Sequence, residues 1–262
     1  MSTPRGLDFA LAQAVDRYIG DRIVGLAPPI PVLDPAVQAR FGVRHLFLGE
    51  TRLQTPALLS LVRGGFAITS RLSYSRSRDL RFLIAHELAH TFSYTLKGPE
   101  QYPVLRAVEQ NTEAMANFGA RAILMPRTFL SPLIQGDLEL PHLLYHARRL
   151  DVYPHWLAQR LIGDLELRQA AFFTYDWTRR GLRRKSTLDV RSASTLDRRC
   201  LRSIGQQLRR LRGEHQSRWT VSHSRGQSVA VACAEVDGLF GTCRRVYVLV
   251  SGDDIGTGGS TC

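Results

Sequence analysis

The stretch Arg81-Phe82-Leu83-Ile84-Ala85-His86-Glu87-Leu88-Ala89-His90 contains the pattern HExxH. Residues four apart lie on one face of an α-helix, so His86 and His90 can bind one metal ion together. Apolar residues recur at helical spacing through this stretch, and Ser77 can cap the start of the helix. A catalytic zinc ion takes three protein ligands and keeps a fourth position for water, from which Glu87 can accept a proton. The stretch therefore predicts a buried helix with two zinc ligands and a general base.

Two histidines and a glutamate can also lie in a protein core without any metal. In that case Glu87 would be a buried charge without a partner, which is costly. We therefore expect a zinc site, with the metal-free core as the alternative.

The third ligand must come from another helix, and the best candidate is Glu113. Asn117 lies one turn further along the same face, where its side chain can accept the second N–H of a metal-bound histidine. Glu109, one turn earlier in the predicted helix Val108–Leu124, is the alternative ligand. We favour Glu113, because Asn117 follows it by one turn and can support a histidine. Glu109 has no such supporting residue, since the residue one turn after it is Glu113 itself. Both glutamates could also belong to a solvated helix face.

These segments resemble the ImmA/IrrE family of bacterial metallopeptidases. Members of that family read RFTIAHELGH and then ExEANxFAxxLLMP, which is similar to the residues from Arg81 to His90 and from Glu113 to Pro126. The segment Ala147–Leu161 is similar to the family pattern ARRFGVSPEALAxRL. The differences are Ala89 for the usual Gly, Met115 for the second Glu, Gly119 for the usual Phe and Trp156 for a small residue.

The resemblance implies an IrrE/PprI-type zinc endopeptidase. His86, His90 and Glu113 would bind zinc, Glu87 would be the catalytic base, and Asn117 would orient a histidine. The implied substrate is a helix-turn-helix repressor of the XRE type, whose cleavage would switch on transcription in a stress, DNA-damage, radiation-resistance or mobile-element response. The alternative is a non-catalytic regulator with a structural zinc that binds protein or DNA through its C-terminal domain.

Three short strands are predicted ahead of the histidine helix: Val43–Leu48, Ala57–Val62 and Phe66–Thr69. With that helix, the resemblance makes residues 1–135 a zincin-like metallopeptidase domain of the α+β class. An edge strand beside the helix binds extended substrate in such peptidases, so we predict this role for the third strand. The alternative, that it is an ordinary core strand, explains its sequence equally well. Its residues are Phe66, Ala67, Ile68 and Thr69.

Residues 136–167 are predicted to form a helix-turn-helix-like segment, with helices over Leu140–Leu150 and Pro154–Ile162. Such a pair can read DNA, but the segment has 3 basic and 5 acidic side chains, and Arg160 is the only Arg or Lys on the second helix. Because a groove reader needs contacts with phosphates, we favour a structural or substrate-docking role.

Residues 168–262 are predicted to be a C-terminal α+β domain with four strands and one amphipathic helix, Ser194–Leu211. Some members of the family have a GAF-like sensor domain here, and the pattern is compatible with a reduced version. With 17 basic and 8 acidic side chains, the domain could contact nucleic acid or an acidic repressor, although a solvated basic face is the simpler explanation. The glycine-rich tail 251–262 is predicted to be disordered.

Composition limits where the protein acts. No run of residues reaches the apolar length of a membrane span, and the chain start lacks the apolar core of a secretory signal. The four cysteines come late and show no CxxC spacing, which argues against a disulfide framework or a thiolate zinc site. We therefore predict a cytoplasmic protein without membrane contact.

Overall fold

The computed structural model describes residues 9–50, 52–72, 77–96, 102–135, 138–165, 170–178, 181–188, 198–210, 216–222, 228–237 and 244–251. These form a mixed α+β fold, as predicted. One unit holds the described residues up to Ser131 together with Arg148–Tyr153, and the other holds the rest. The units interleave along the chain, and the domain boundaries at residues 135 and 167 stay predictions.

The first unit starts with two helices whose sequences explain their ends. Helix α1 (Phe9–Ile23) is amphipathic, and Leu11, Val15 and Ile19 bury one face of it. Helix α2 (Pro35–Arg40) begins after Asp34, whose carboxylate accepts a 2.8 Å hydrogen bond from a free N–H in the first turn. The remaining elements of this unit are β1 (Val43–Leu48), β2 (Ala57–Val62), β3 (Gly65–Ser70), α3 (Ser77–His90) and α4 (Tyr102–Leu124), and α5 (Arg127–Gln135) begins in it.

The three predicted strands form one small sheet in the order β1-β3-β2. Strand β1 runs parallel to β3, and β2 pairs with β3 as an antiparallel hairpin, in which Gly64 adopts a φ of 80°. The prediction that Phe66, Ala67, Ile68 and Thr69 form an edge strand is wrong. They lie in the central strand, whose backbone groups already pair on both sides, so no substrate strand can add there. The edge strand in contact with α3 is β2.

Helices α3 and α4 pack against each other at very close range. A Cβ atom placed on Gly119 of α4 would lie 2.5 Å from the Cβ of Ala89 on α3, a separation that real Cβ atoms do not adopt. Helix α1 contacts the same place through Val15 and Ile19, which lie at ordinary distances of 3.4–3.5 Å. The glycine therefore permits the close approach of the two helices.

A buried arginine joins α3 to a distant turn of the same unit. The guanidinium of Arg81 donates to the backbone oxygens of Ile30, Leu150 and Asp151 and to the Asp151 carboxylate. Arg78 pairs with the other oxygen of that carboxylate at 2.9 Å. These hydrogen bonds and the ion pair offset the free-energy cost of burying the charged Arg81 side chain.

The second unit contains a five-stranded antiparallel sheet in the order β5-β4-β8-β7-β6. Three successive residues of β8, from Tyr247 to Leu249, are buried, so both faces of the sheet are covered there. Helix α8 buries Ile204 and Leu208, as its periodicity predicts. From residue 170 onward, the elements of this unit are β4 (Ala170–Thr178), β5 (Gly181–Leu188), α8 (Arg198–Arg210), β6 (Gln216–Ser222), β7 (Ser228–Asp237) and β8 (Arg244–Ser251).

Strand β5 was not predicted. The other four strands agree to within two residues at each end with the strands predicted from the sequence, which are Ala170–Trp177, Arg218–Ser222, Val229–Val236 and Arg244–Val250. The predicted tail lies outside the described residues from position 252 onward. The predicted basic face of the C-terminal helix consists of Arg198, Arg199, Arg202, Arg209, Arg210 and Arg212, and of these the side chains of Arg198, Arg199, Arg209 and Arg212 also lie outside what is described.

The predicted helix-turn-helix-like segment contains α6 (Leu140–Arg149) and α7 (Pro154–Ala158), which continues as one π-helical turn over Gln159–Asp164. Arg160 is only 1% exposed and pairs with Asp164 at 3.7 Å. A buried arginine is not accessible to DNA phosphates, which agrees with a structural or docking role. No described helix is long and apolar enough to cross a membrane.

The close helix contact can be tested by moving one methyl group. Gly119→Ala should lower the free energy of unfolding by about 1–3 kcal/mol, because the helices must separate. Adding Ala89→Gly removes the obstructing methyl group and should recover part of this loss. Urea unfolding measures both effects. Gly20→Ala in α1, where nothing lies within 4 Å of the added Cβ, is the matched control and should not destabilise. Equal losses in the single and double variants would contradict this account.

Candidate metal centre

Helix α3 presents His86 and His90 side by side, as their spacing predicts. The two Nε2 atoms are 3.1 Å apart, and the side chains are 13% and 16% exposed. Both imidazoles therefore point to one place at the edge of the core.

Helix α4 brings Glu113 to the same place. One carboxylate oxygen lies 3.3 Å from Nε2 of His86, and the other lies 3.7 Å from Nε2 of His90. Among the residues that the structure describes, these three form the one group of His, Cys, Asp or Glu suited to hold a metal ion. Glu109 is exposed and does not belong to the group. The structure thus brings together the predicted ligand set and leaves out the alternative.

A break in α4 explains why the two glutamates do not share a face. Asn111 has non-helical angles (φ −137°, ψ 30°), and its amide donates to the Ala107 carbonyl. Thr112 donates to the Val108 carbonyl in the same way. Such side-chain bonds compete with the helical backbone and bend helices. Because the break lies two residues before Glu113, this ligand begins a new helical segment and is not in phase with the segment before it.

Asn117 supports His86 as predicted. The Nδ1–H of His86 donates to the Asn117 side-chain oxygen at 3.2 Å, which leaves Nε2 free of its proton and directed toward Glu113. Bonds of this kind fix the tautomer and orientation of metal-binding histidines.

The histidines are held in the form that metals bind. Burial lowers the pKa of His86, although Glu113 and Asn117 oppose the change. Burial also lowers the pKa of His90, and the neighbouring His86 adds to the effect while Glu113 opposes it. Neutral imidazoles are therefore favoured at neutral pH, and only the neutral ring can coordinate a metal.

Glu87 lies next to this cluster in a buried position. Burial raises the pKa of its carboxyl to about 7, and the backbone N–H of Leu59 in β2, which donates to it, opposes the rise. The negative charge of Glu113 adds to the rise. A carboxyl with a pKa near neutrality can both accept and release a proton there, as a general base must.

The predicted site did not include Leu59. Its strand was predicted with the correct ends, but its place at the sheet edge beside α3 depends on pairing between distant segments. The signal that could have indicated this strand is its lack of charged residues in the segment before the HExxH helix.

The geometry of the three ligands fits zinc. Tetrahedral zinc with bonds of about 2.0–2.1 Å separates neighbouring ligand atoms by about 3.3 Å. The two imidazole nitrogens are 3.1 Å apart, and the two carboxylate oxygens of Glu113 lie 3.3 Å from His86 and 3.7 Å from His90, respectively. Two imidazoles with one carboxylate are a ligand set that zinc accepts. The group can therefore hold a metal ion with little rearrangement.

Comparison with models of protein families and with curated proteins finds no match. Among solved structures, the chain is similar to a transcriptional regulator from Mycobacterium tuberculosis. The TM-score is 0.54 and the sequence identity 17%, and the match covers 92% of this chain and 75% of that chain. At this identity, the likeness shows a shared fold alone.

Burial of Glu87 makes stability depend on pH in the metal-free protein. Its folded pKa, about 7, lies above the ordinary value of 4.5, so the folded protein holds this proton more tightly than the unfolded chain. The contribution of Glu87 to wild-type stability therefore falls as the pH rises from about 4.5 to about 7. Glu87→Gln removes the charge and keeps an oxygen for the Leu59 N–H. The difference in unfolding free energy between this variant and wild type should therefore shift in favour of the variant by on the order of 2–3 kcal/mol when the pH is raised from 5 to 8.

Urea unfolding in the presence of a chelator at both pH values measures this gain. Glu109→Gln changes an exposed glutamate in the next helix and is the matched control, with no gain expected. A difference between Glu87→Gln and wild type that stays constant with pH would contradict the buried, proton-binding carboxyl.

Proposed function

We propose that this chain is a zinc-dependent endopeptidase of the ImmA/IrrE kind with a zincin-like N-terminal domain. The observation that carries the proposal is the meeting of His86, His90 and Glu113 at metal-binding distance beside the buried Glu87. The side chain of Glu113 is 77% exposed, so the cluster is accessible to solvent on that side. Catalytic zinc sites keep an open position, whereas structural sites have four protein ligands, and this openness favours catalysis.

The roles of the residues follow from their positions. Zinc, when bound, supplies a Lewis acid that polarises the scissile carbonyl and makes water acidic enough to lose a proton near pH 7. Glu87 accepts this proton and passes it to the amine that leaves when the peptide bond breaks. Asn117 holds His86 in the tautomer and orientation that coordination requires.

Strand β2 takes over the substrate-binding role that the sequence assigned to β3. It is an edge strand, and its Leu59 contacts Glu87 through the backbone. An extended peptide that pairs with β2 would therefore lie beside the general base. Edge-strand addition gives affinity through main-chain hydrogen bonds, which suits a peptidase that cuts an unfolded or extended segment.

The proposed substrate is an XRE-type helix-turn-helix repressor, cut so that genes of a stress, DNA-damage or mobile-element response are expressed. The solved structure of similar fold is a transcriptional regulator, which agrees with a regulatory role. Residues 168–262, with the five-stranded antiparallel sheet and α8, would be the reduced GAF-like sensor or the docking domain. In this proposal the protein acts in the cytoplasm.

The second candidate is a non-catalytic regulator that holds a structural zinc and recognises protein or DNA. The likeness to a transcriptional regulator over 92% of the chain favours it. It differs from the peptidase in needing no general base, so Glu87 separates the two candidates.

The third ligand can be tested through metal affinity. Glu113→Ala should weaken zinc binding by about 100-fold or more, because one of three protein ligands is lost. Glu109→Ala, one turn earlier and outside the cluster, is the matched control and should bind zinc like wild type. Competition with a chromophoric chelator measures both. The opposite ranking would move the ligand to Glu109.

The general base can be tested with zinc-loaded Glu87→Gln. We expect it to fold and keep zinc but to lose at least about 100-fold in cleavage rate, because Gln cannot accept the proton. The substrate for the assay is an XRE-type helix-turn-helix repressor, and its cleavage is followed by mass spectrometry. Cleavage at the wild-type rate would exclude the proposed mechanism, and specific DNA binding without any cleavage by the wild type would favour the second candidate.

A further inference from the structure

Strand β2 is unusually apolar for an exposed sheet edge. Its sequence, Ala57–Val62, contains no charged residue, and the side chains of Leu58 and Leu61 are 46% and 68% exposed. The other edge, β1, contains Arg44 and an exposed His45. Proteins usually protect edge strands with charge, because an apolar edge invites another strand. An unprotected edge next to the metal cluster is therefore where a partner strand is expected.

The backbone of β2 is available for such a strand. In an antiparallel pair, alternate residues point their N–H and C=O groups away from the partner strand. Leu59 donates its N–H to Glu87 on α3, so Leu59 belongs to the outward set, together with Ala57 and Leu61. A peptide added to β2 would pair with Leu61, with the Leu59 carbonyl and with Ala57, whose carbonyl also accepts from the Thr55 hydroxyl. It would not pair with the Leu59 N–H, which Glu87 already uses.

The exposed leucines lie on opposite faces of the sheet. Leu58 stands opposite Thr69, and Leu61 stands opposite Phe66, in a register without a bulge. Because neighbouring β3 residues alternate between faces, an added strand would meet one leucine on each face. Each leucine offers an apolar surface to a substrate side chain and offers nothing to a charged one.

We propose that Leu58 and Leu61 determine substrate specificity, by selecting an extended, uncharged segment with one apolar side chain over each leucine. The inference rests on the proposed peptidase function and adds the chemical class of the segment that is cut. In a chain with a net charge of +12, an apolar strand at this place would select for packing and not for opposite charge.

The test separates binding from cleavage. The probe is a synthetic library of random dodecapeptides, incubated with zinc-loaded protein that also contains Glu87→Gln, and bound peptides are identified by mass spectrometry. Apolar residues should be enriched at two positions of odd separation, since the leucines lie on opposite faces. Leu61→Asp should reduce enrichment at one of these positions by about 10-fold and replace it with Arg or Lys, and Leu58→Asp should do so at the other.

Phe47→Asp is the matched control. Phe47 is 54% exposed and lies in the same cross-strand row as Leu58, but on β1, two strands and about 10 Å away. It should leave the enrichment unchanged. Thermal melting and zinc content of every variant show that each one is folded and loaded.

Each result decides one of the two proposals. Apolar enrichment that Leu58→Asp and Leu61→Asp shift while Phe47→Asp does not supports the specificity assignment. Binding without apolar preference, no selective binding, or an equal shift from Phe47→Asp overturns it. The same library given to wild-type protein with Glu87 intact tests cleavage: selective binding without any cleavage leaves the specificity of β2 in place and refutes the peptidase.

Discussion

Helices α3 and α4 can approach as closely as they do only because residue 119 has no side chain. A methyl group there would meet that of Ala89 at 2.5 Å. The candidate metal site depends on this distance, since two of its three residues come from α3 and the third from α4. The short side chain of Asn117 reaches His86 for the same reason. One glycine therefore sets the spacing on which both the ligands and their support depend.

The two buried charged groups of α3 show how the fold treats polar groups in different ways. Arg81 has backbone and carboxylate partners around its guanidinium, so its hydrogen bonds offset the cost of burial and join α3 to the turn at Asp151. Glu87 has the Leu59 N–H, and its pKa rises to about 7 as a result of its burial. A well-compensated charge supports structure, whereas a poorly compensated one is ready to take up a proton, and such groups are concentrated at functional sites.

The sequence predicted the parts of the site that depend on local periodicity. His86 and His90 follow from the helical repeat, and Asn117 follows from its spacing to Glu113. The order of the strands could not be predicted in this way. Strand β1 pairs with β3 although β2 comes between them in the sequence, and such pairing leaves no local pattern. Strand β5 was missed because its charged middle, from Arg183 to Lys185, shows no apolar alternation.

The corrected strand order joins recognition to chemistry. If β3 were the edge strand, no contact in the structure would link a bound peptide to Glu87. With β2 at the edge, Leu59 uses its N–H to hold Glu87 and has its carbonyl directed outward, toward the place of an added strand. The same residue would then fix the general base and the peptide relative to each other. In the proposed peptidase, a one-residue shift in the register of β2 would disturb both at once, because it would turn the outward groups of Leu59 toward β3.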